Sequence, residues 1–468
     1  MSRLVVVSNR VPLPSERGAK AGGLAVALAD ALQPGSLWFG WSGRRSARGG
    51  GTTHIQRADS ITYATVDLSE ADYNSFYVNF ANGALWPLLH FRLGLLDFHV
   101  EDYAGYRAVN RQFAAALVPL LRPDDLIWVH DYHLIPMAAE LRALGVTNRI
   151  GFFLHTPFVP PEVFYALPRA PDLLANLCRY DVVGFHTRGY RRAFLDCVAQ
   201  GLGVHPDSDG RFVWSGRPVR AIIDPVGIDA DAFSEQAVKA SRGNDARMLR
   251  DSLGDKALAI GVDRLDYSKG LSNRFVAIGR FFANYPQHRK QISVLQVAAR
   301  SREDLGAYQR LRRELDRIVG ETNGKYSEFD WTPLRYMTRA VKRDTLAGFF
   351  RLARLAIVTP LRDGMNLVAK EYVAAQDPDD PGVLILSRFA GAADELPEAL
   401  IVNPYDADEI AEAMHHGLSM DLAERRERWR SLHKNVCTNN AHRFCTLFLT
   451  HLARADTQPE RPSLRAIS

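Results

Sequence analysis

Cysteine is scarce in this 468-residue chain: Cys178, Cys197, Cys437 and Cys445 are its four, and none forms a CxxC pair. Four are too few to staple a chain of this length, so they read as reduced thiols of a cytoplasmic protein. Long apolar runs are also missing. Nothing approaches the ~20 residues of a membrane span, and Leu4–Val7 is shorter than the roughly 7–15 residues of a signal-peptide core. Charge of one sign is lacking too, with 58 basic against 53 acidic residues and a net charge of +5. Only nine of the basic residues are lysine, and no Lys/Arg block interleaves with aromatics, so no nucleic-acid partner is expected. Neither GxGxxG nor HExxH occurs, which removes the usual dinucleotide fingerprint and the commonest zinc-protease motif. What remains, 47% hydrophobic and 24% charged with 34 Gly and 24 Pro, is ordinary globular usage that excludes disorder and collagen.

Short β-branched or aromatic runs alternate with helical patterns from end to end, the signature of βα units and parallel sheets. Strands are predicted at Leu4–Ser8, Leu37–Trp41, Leu126–His130, Ile150–His155 and Val182–His186. A second series falls at Leu258–Asp263, Ile292–Val297, Leu355–Thr359, Val383–Ser387 and Leu400–Val402. Apolar spacing predicts helices over Tyr106–Leu121 and Glu303–Val319. Pro225 and Gly227 interrupt the pattern and the polar segment Ser241–Asp255 follows, which places a joint there. The expectation is α/β: Rossmann-like domains over 1–225 and 226–455, with a flexible tail over 456–468. Two such domains meeting face to face line a cleft with the carboxyl ends of their strands, where ligands of such sheets bind.

Five segments carry candidate chemistry. Thr359-Pro-Leu-Arg-Asp-Gly-Met-Asn-Leu-Val-Ala-Lys-Glu-Tyr372 follows a strand and turns through Asp363-Gly364 into a helix near Asn366. Such a helix N-terminus suits a sugar hydroxyl or phosphate. Asp363 stands at the mouth of the cleft and Glu371 about one and a half turns into the helix, although an Asp cap with a solvated Glu fits the spacing equally. In Gly261-Val-Asp-Arg-Leu-Asp-Tyr-Ser-Lys-Gly270, Arg264 and Lys269 can clamp a diphosphate. Surface pairing with Asp263 or Asp266 is the plainer alternative. Ser8-Asn-Arg10 with Gly22-Gly23 offers a close backbone approach to a phosphate, or simply a flexible turn. Trp128-Val-His-Asp-Tyr-His133 and Phe152-Phe-Leu-His155 end apolar runs with polar residues, so Asp131 and His155 are plausible site residues. His130, Asp131 and His133 raise the question of a metal, but no third-ligand pattern supports zinc. Phe76, Tyr77 and Trp86 fit core or cleft wall.

Taken together, Ala21-Gly-Gly-Leu24, Trp38-Phe-Gly-Trp41, Leu85-Trp-Pro87, Trp128-Val-His-Asp-Tyr-His133, Arg264-Leu-Asp-Tyr-Ser-Lys-Gly270, Asn323-Gly-Lys325 and Asp363-Gly-Met-Asn-Leu-Val-Ala-Lys-Glu371 resemble the trehalose-6-phosphate synthases. These are retaining glycosyltransferases of family 20 with the two-domain GT-B fold. The resemblance implies transfer of glucose from UDP-glucose, or another nucleotide-glucose, to glucose 6-phosphate, giving α,α-trehalose 6-phosphate. By the same resemblance Arg264 and Lys269 hold the donor diphosphate, with backbone near Gly23, Leu367 and Val368. Glu371 takes the ribose hydroxyls, while Asp363 with Gly364, Met365 and Asn366 takes the transferred glucose. Arg10, Tyr77, Trp86 and Arg302 surround the acceptor phosphate, Trp41 lies nearby, Asp131 contacts acceptor hydroxyls, and His155 lies between the two sugars. Asp131, His155, Arg264, Lys269 and Asp363 form the implied catalytic set.

The nucleotide-sugar is a substrate, and neither a cofactor nor a metal is expected, because basic residues can supply the counter-charge to a leaving diphosphate. A homo-oligomer, dimer or tetramer, is expected. The chain departs from the family at Ala298-Ala-Arg-Ser-Arg302, where Arg300 competes with Arg302, and at Val159, where Pro is commoner. No Asp-x-Asp phosphatase signature follows Val402, so a synthase without a fused phosphatase is expected. A cyclitol-coupling relative or a catalytically silent sugar-phosphate sensor are the rival readings.

Overall fold

Val5, Val6 and Val7 have no exposed surface, as β-branched residues fitted to a two-sided sheet interior do. They form β1 (Leu4–Arg10), a strand paired in parallel on both sides. The computed structural model describes residues 2–14, 28, 32–47, 52–300 and 306–455. The chain divides into two units.

The first unit holds a nine-stranded sheet among the described residues. Besides β1 it contains β2 (Leu37–Arg45), β3 (Thr53–Ala58), β4 (Ile61–Leu68), β5 (Leu126–His130), β6 (Arg149–Phe153), β7 (Val182–Phe185), β8 (Arg211–Trp214) and β9 (Arg217–Ile223). The order is β3-β4-β2-β1-β5-β6-β7-β9-β8. Only the edge pairs β3/β4 and β8/β9 are antiparallel. The edge strand β3 has no buried residue, so its sequence lacks the apolar run that marks the inner strands. Helix α1 (Val100–Leu117) starts earlier than the 106–121 expectation and ends before Pro119, which cannot continue an α-helix. Phe76 and Tyr77, read as core or cleft wall, belong to a π-helix over Tyr73–Leu85 that runs on into Trp86–Leu89, which carries Trp86.

The second unit is a parallel sheet of six strands among the described residues: β10 (Ala257–Arg264), β11 (Ile292–Ala299), β12 (Leu334–Met337), β13 (Leu355–Val358), β14 (Val383–Ser387) and β15 (Leu400–Val402). Their order is β12-β11-β10-β13-β14-β15, with every ladder parallel. The crossovers include α2 (Leu271–Asn284), the helix Gly306–Tyr326, α3 (Arg343–Leu352) and α4 (Leu367–Ala375). The polar segment 241–255 is not a linker: Asn244–Leu253 is a surface helix that buries only Ala246 and Leu253.

The unit break falls between Pro225 and Val226, but the last stretch differs from the 226–455 expectation. Helix α5 (Ala441–Ala453) leaves the second unit, and from Cys445 the chain belongs to the first. The reason is apolar: Phe448 stacks on Trp128 at 4.5 Å and meets Phe153 at 5.9 Å, and Leu452 is fully buried. Residues 456–468 lie outside the described residues.

Candidate active site

In the second unit the site is built where strands end. After β10 the chain makes a single turn, Tyr267–Lys269, before α2. Asp266 anchors that turn: its Oδ1 accepts from the Ser268 N–H and hydroxyl, both at 2.9 Å, and its Oδ2 accepts from the Tyr308 hydroxyl at 3.0 Å. Gly270 then enters α2 at φ +66°, where a Cβ would lie 2.3 Å from the Thr359 carbonyl oxygen. Only glycine fits both the left-handed backbone and the close approach. Lys269, so held, donates from Nζ to Asp363 Oδ2 at 2.5 Å. Asp363 also accepts from Asn366 Nδ2 at 3.0 Å.

Asn366, not Asp363, caps α4: its side chain accepts from the Ala369 N–H at 3.2 Å. Leu367 and Val368 open that helix, where first-turn N–H groups point outward. Gly364 and Met365 are buried between the Asp363 carboxylate and the Asn366 carboxamide, with the Gly364 carbonyl pressed against Gly391. Glu371 is not solvated either. Burial raises its carboxyl above the usual range, and the Arg343 guanidinium, donating from Nε at 3.0 Å, partly offsets that. The pairing of Lys269 with Asp263 or Asp266 does not occur. Asp263 is bonded instead to Arg274, and Arg264 stands exposed at the end of β10, in register with Ala299.

Arg274 is a residue that sequence reasoning passed over. It is fully buried, donating to Asp263 Oδ2 at 2.5 Å, Gln296 Oε1 at 2.8 Å and Thr359 Oγ1 at 3.0 Å, and reaching the Lys269 carbonyl at 3.4 Å. Arginine in a helix is common, and only its three dispersed partners, all on strands or their ends, reveal the role. Arg343 was missed for the same reason: its partner is 28 residues away.

In the first unit Arg10 ends β1 opposite Trp41 of β2, and its guanidinium lies where a Cβ on Gly43 would meet it at 2.7 Å. Trp41 packs on Tyr73 at 5.6 Å and Tyr77 at 5.9 Å, and Tyr77 stacks on His133 at 5.7 Å and 11°. Trp86 lies 5.6 Å from Tyr132. Asp131 leaves β5 with φ +74° and ψ 165°, a region almost reserved for glycine and costing about 1–3 kcal/mol, which concentrates at functional sites. Its carboxylate accepts from the His155 N–H at 3.2 Å. The His155 ring is bonded through Nε2 to His130 Nδ1 at 3.0 Å and lies 5.4 Å from His186. Burial, then the neighbouring imidazole, pushes His130 and His155 well below the ordinary histidine range. His130 and His133 therefore serve different partners, and among the described residues no group of three metal-ligating side chains occurs. Gly23 and Arg302 lie outside the described residues, while Arg300 stands exposed just past β11.

The profile of glycosyltransferase family 20 matches residues 2–454. The chain belongs to glycosyltransferase family 20. Its relatives include the trehalose-6-phosphate synthase of Sinorhizobium fredii, 48% identical over 457 residues, 97% of this chain and 98% of that protein. Among solved structures, an α,α-trehalose-phosphate synthase (UDP-forming) from Burkholderia xenovorans in complex with glucose-6-phosphate is 46% identical with a TM-score of 0.93, covering 97% of this chain and 100% of that one. An E. coli structure bound with UDP-2-fluoro glucose is 45% identical with a TM-score of 0.92, covering 97% and 99%. The α/β class with two parallel-sheet units, expected from the sequence, is that of this family 20 chain. No described helix is long and apolar enough to cross a membrane.

Proposed function

We propose that this chain is a retaining glucosyltransferase that moves glucose from UDP-glucose to glucose 6-phosphate, releasing UDP and α,α-trehalose 6-phosphate. The observation that carries the reading is the convergence of Lys269, Asp363, Asn366 and the α4 N-terminus at the carboxyl edge of the central strands β10 and β13. That edge offers a cation for a diphosphate, a carboxylate for sugar hydroxyls and N–H groups for either. Arg264 joins Lys269 on the diphosphate and Glu371 takes the ribose. The backbone of Gly364 to Val368 is assigned to the sugar and phosphates, and Gly23 to the donor by the family resemblance alone. Arg10, Tyr77 and Trp86 of the first unit are assigned to the acceptor phosphate, with Trp41 packed on Tyr77, and Asp131 to acceptor hydroxyls; Arg302 is assigned to the same phosphate by the family resemblance alone.

The bond that breaks joins the glucose anomeric carbon to the β-phosphate oxygen. The bond that forms joins that carbon to the anomeric hydroxyl oxygen of glucose 6-phosphate. Negative charge grows on the leaving diphosphate, where Arg264 and Lys269 stabilise it most in the transition state. The acceptor proton passes to the departing phosphate oxygen on the same face, which keeps the configuration without a carboxylate nucleophile. His155, held neutral by burial and His186, hydrogen-bonds sugar hydroxyls without adding charge beside the developing oxocarbenium ion.

The counter-charge comes from side chains, with no metal needed. A cytoplasmic homo-oligomer completes the proposal. None of the four cysteines is in a disulfide, which supports the compartment, and light scattering measures the oligomer. The deciding assay is nucleotide release from UDP-, GDP- and ADP-glucose with glucose 6-phosphate, glucose or no acceptor, with product mass and anomeric configuration determined. Release that needs glucose 6-phosphate and yields an α,α-linked disaccharide phosphate is expected. Tight nucleotide-sugar binding without release from any pair would instead identify a sensor or a cyclitol-coupling enzyme.

A further inference from the structure

The π-helix Tyr73–Leu85 is 13 residues long, in a conformation that elsewhere appears mostly as single turns and often at functional sites. Inside it, Asn82 stands five residues after Tyr77 and is 2% exposed. Its Nδ2 donates to the Tyr77 carbonyl at 2.8 Å. Its Oδ1 accepts from the Tyr132 hydroxyl at 2.8 Å. The orientation of the amide is dictated by its partners, because a carbonyl can only accept, so the NH₂ end must face Tyr77.

Tyr132 directly follows Asp131, the residue with the strained backbone. The Tyr132 loop is fixed from the other side as well. The Tyr106 hydroxyl donates to the Tyr132 carbonyl at 2.7 Å, and Asn110 Nδ2 donates to the His133 carbonyl at 3.1 Å. The buried amide thus ties the helix that carries Tyr77 and Trp86 to the loop that carries Asp131. The His133 ring stacked on Tyr77 and the Trp86 ring beside Tyr132 join the same two elements.

We propose that Asn82 is a positioning residue of the acceptor site: its amide, bonded to the Tyr77 carbonyl and the Tyr132 hydroxyl, fixes the spacing between Tyr77 and Asp131 that glucose 6-phosphate requires. The inference rests on the glucosyltransferase reading above. It adds that acceptor affinity is set by a buried carboxamide that touches neither substrate.

Two substitutions test it in the full-length protein. Asn82→Asp keeps the volume and the acceptor for Tyr132 but sets a carboxylate oxygen against the Tyr77 carbonyl. Tyr132→Phe removes the donor at the other end with little change of shape. Each is expected to raise the KM for glucose 6-phosphate about tenfold, the loss of one buried hydrogen bond. The KM for UDP-glucose and kcat should stay within about twofold, since uniform loss of acceptor binding leaves turnover at saturation intact. The double variant should be no worse than about the weaker single variant, because both break one bridge. A KM for glucose 6-phosphate that stays at the wild-type value in a folded variant overturns the proposal, and so does an equal rise for both substrates. If Asn82→Asp does not fold, Tyr132→Phe decides alone. Wild-type protein that releases UDP without regard to glucose 6-phosphate would instead overturn the underlying functional reading.

Discussion

At the scale of single residues, Lys269 is the group with the most to lose. Its ammonium bonds Asp363, and its backbone is fixed from Asp266 and Arg274. The charge is therefore preorganised before any diphosphate arrives, which is the condition under which electrostatic stabilisation is strongest. Lys269→Ala is expected to lower kcat on the order of 100-fold while the protein stays folded, because the side chain lies at the rim of the unit's core. Steady-state UDP release measures it, and near-normal turnover would remove Lys269 from the transition state. A different residue-scale expectation concerns His130. Burial and His155 hold its imidazole neutral, well below 6.5, in the folded protein. The unfolded chain takes up that proton as pH falls through 6.5, so stability present above this value is lost on acidification. His155 acts in the same direction. The thermal midpoint of the first unit, followed by tryptophan fluorescence, should fall between about pH 7 and 5.5, and His130→Gln should flatten that slope. An unaltered slope would place the acid sensitivity elsewhere.

At the scale of elements, the turn between β10 and α2 concentrates the backbone constraint in Gly270. A side chain there must adopt φ +66° and also meet the Thr359 carbonyl oxygen. Gly270→Ala is expected to cost about 1–3 kcal/mol from the backbone strain alone and to weaken UDP binding through Lys269. Chemical denaturation and calorimetric titration with UDP check the two effects. Unchanged values for both would mean that the turn relaxes freely.

The inner strands were legible because they are buried on both sides: β1, β5, β13 and β14 read as unbroken apolar runs. The start of α4 was legible through its Asp-Gly turn. Edge strands β3 and β8 were not, since half or more of their residues face solvent. The π-helix was hidden because Phe76, Phe80 and Ala84 also satisfy α-helical spacing. Lys269 and Asp363 were singled out from their local segments, but their mutual bond joins positions 94 residues apart. Arg274 and Asn82 were silent for the same reason, as residues whose work is done through partners that only folding brings near.

At the scale of the whole molecule, the return of the chain at Cys445 makes the first unit depend on its C-terminal end. Gly151 and Gly184 leave room on the sheet for the Phe448 ring, since Cβ atoms there would lie 2.6 and 2.9 Å from it. Trp128 stacks on the same ring. The two glycines have no side chains of their own to fill the space under the ring, so truncation leaves a cavity. Phe448→Ala should therefore destabilise the first unit by about 3–5 kcal/mol. Because the two units need not unfold together, a single midpoint is not the right observable. Five of the seven tryptophans, Trp38, Trp41, Trp86, Trp128 and Trp214, belong to the first unit, so tryptophan fluorescence follows it preferentially while calorimetry reports both. Phe448→Ala should bring the fluorescence transition to lower denaturant and leave UDP binding to the second unit nearly unchanged. An equal shift of every transition would mean that the two units unfold as one cooperative body, and no shift would mean that the C-terminal helix is dispensable to the sheet it covers.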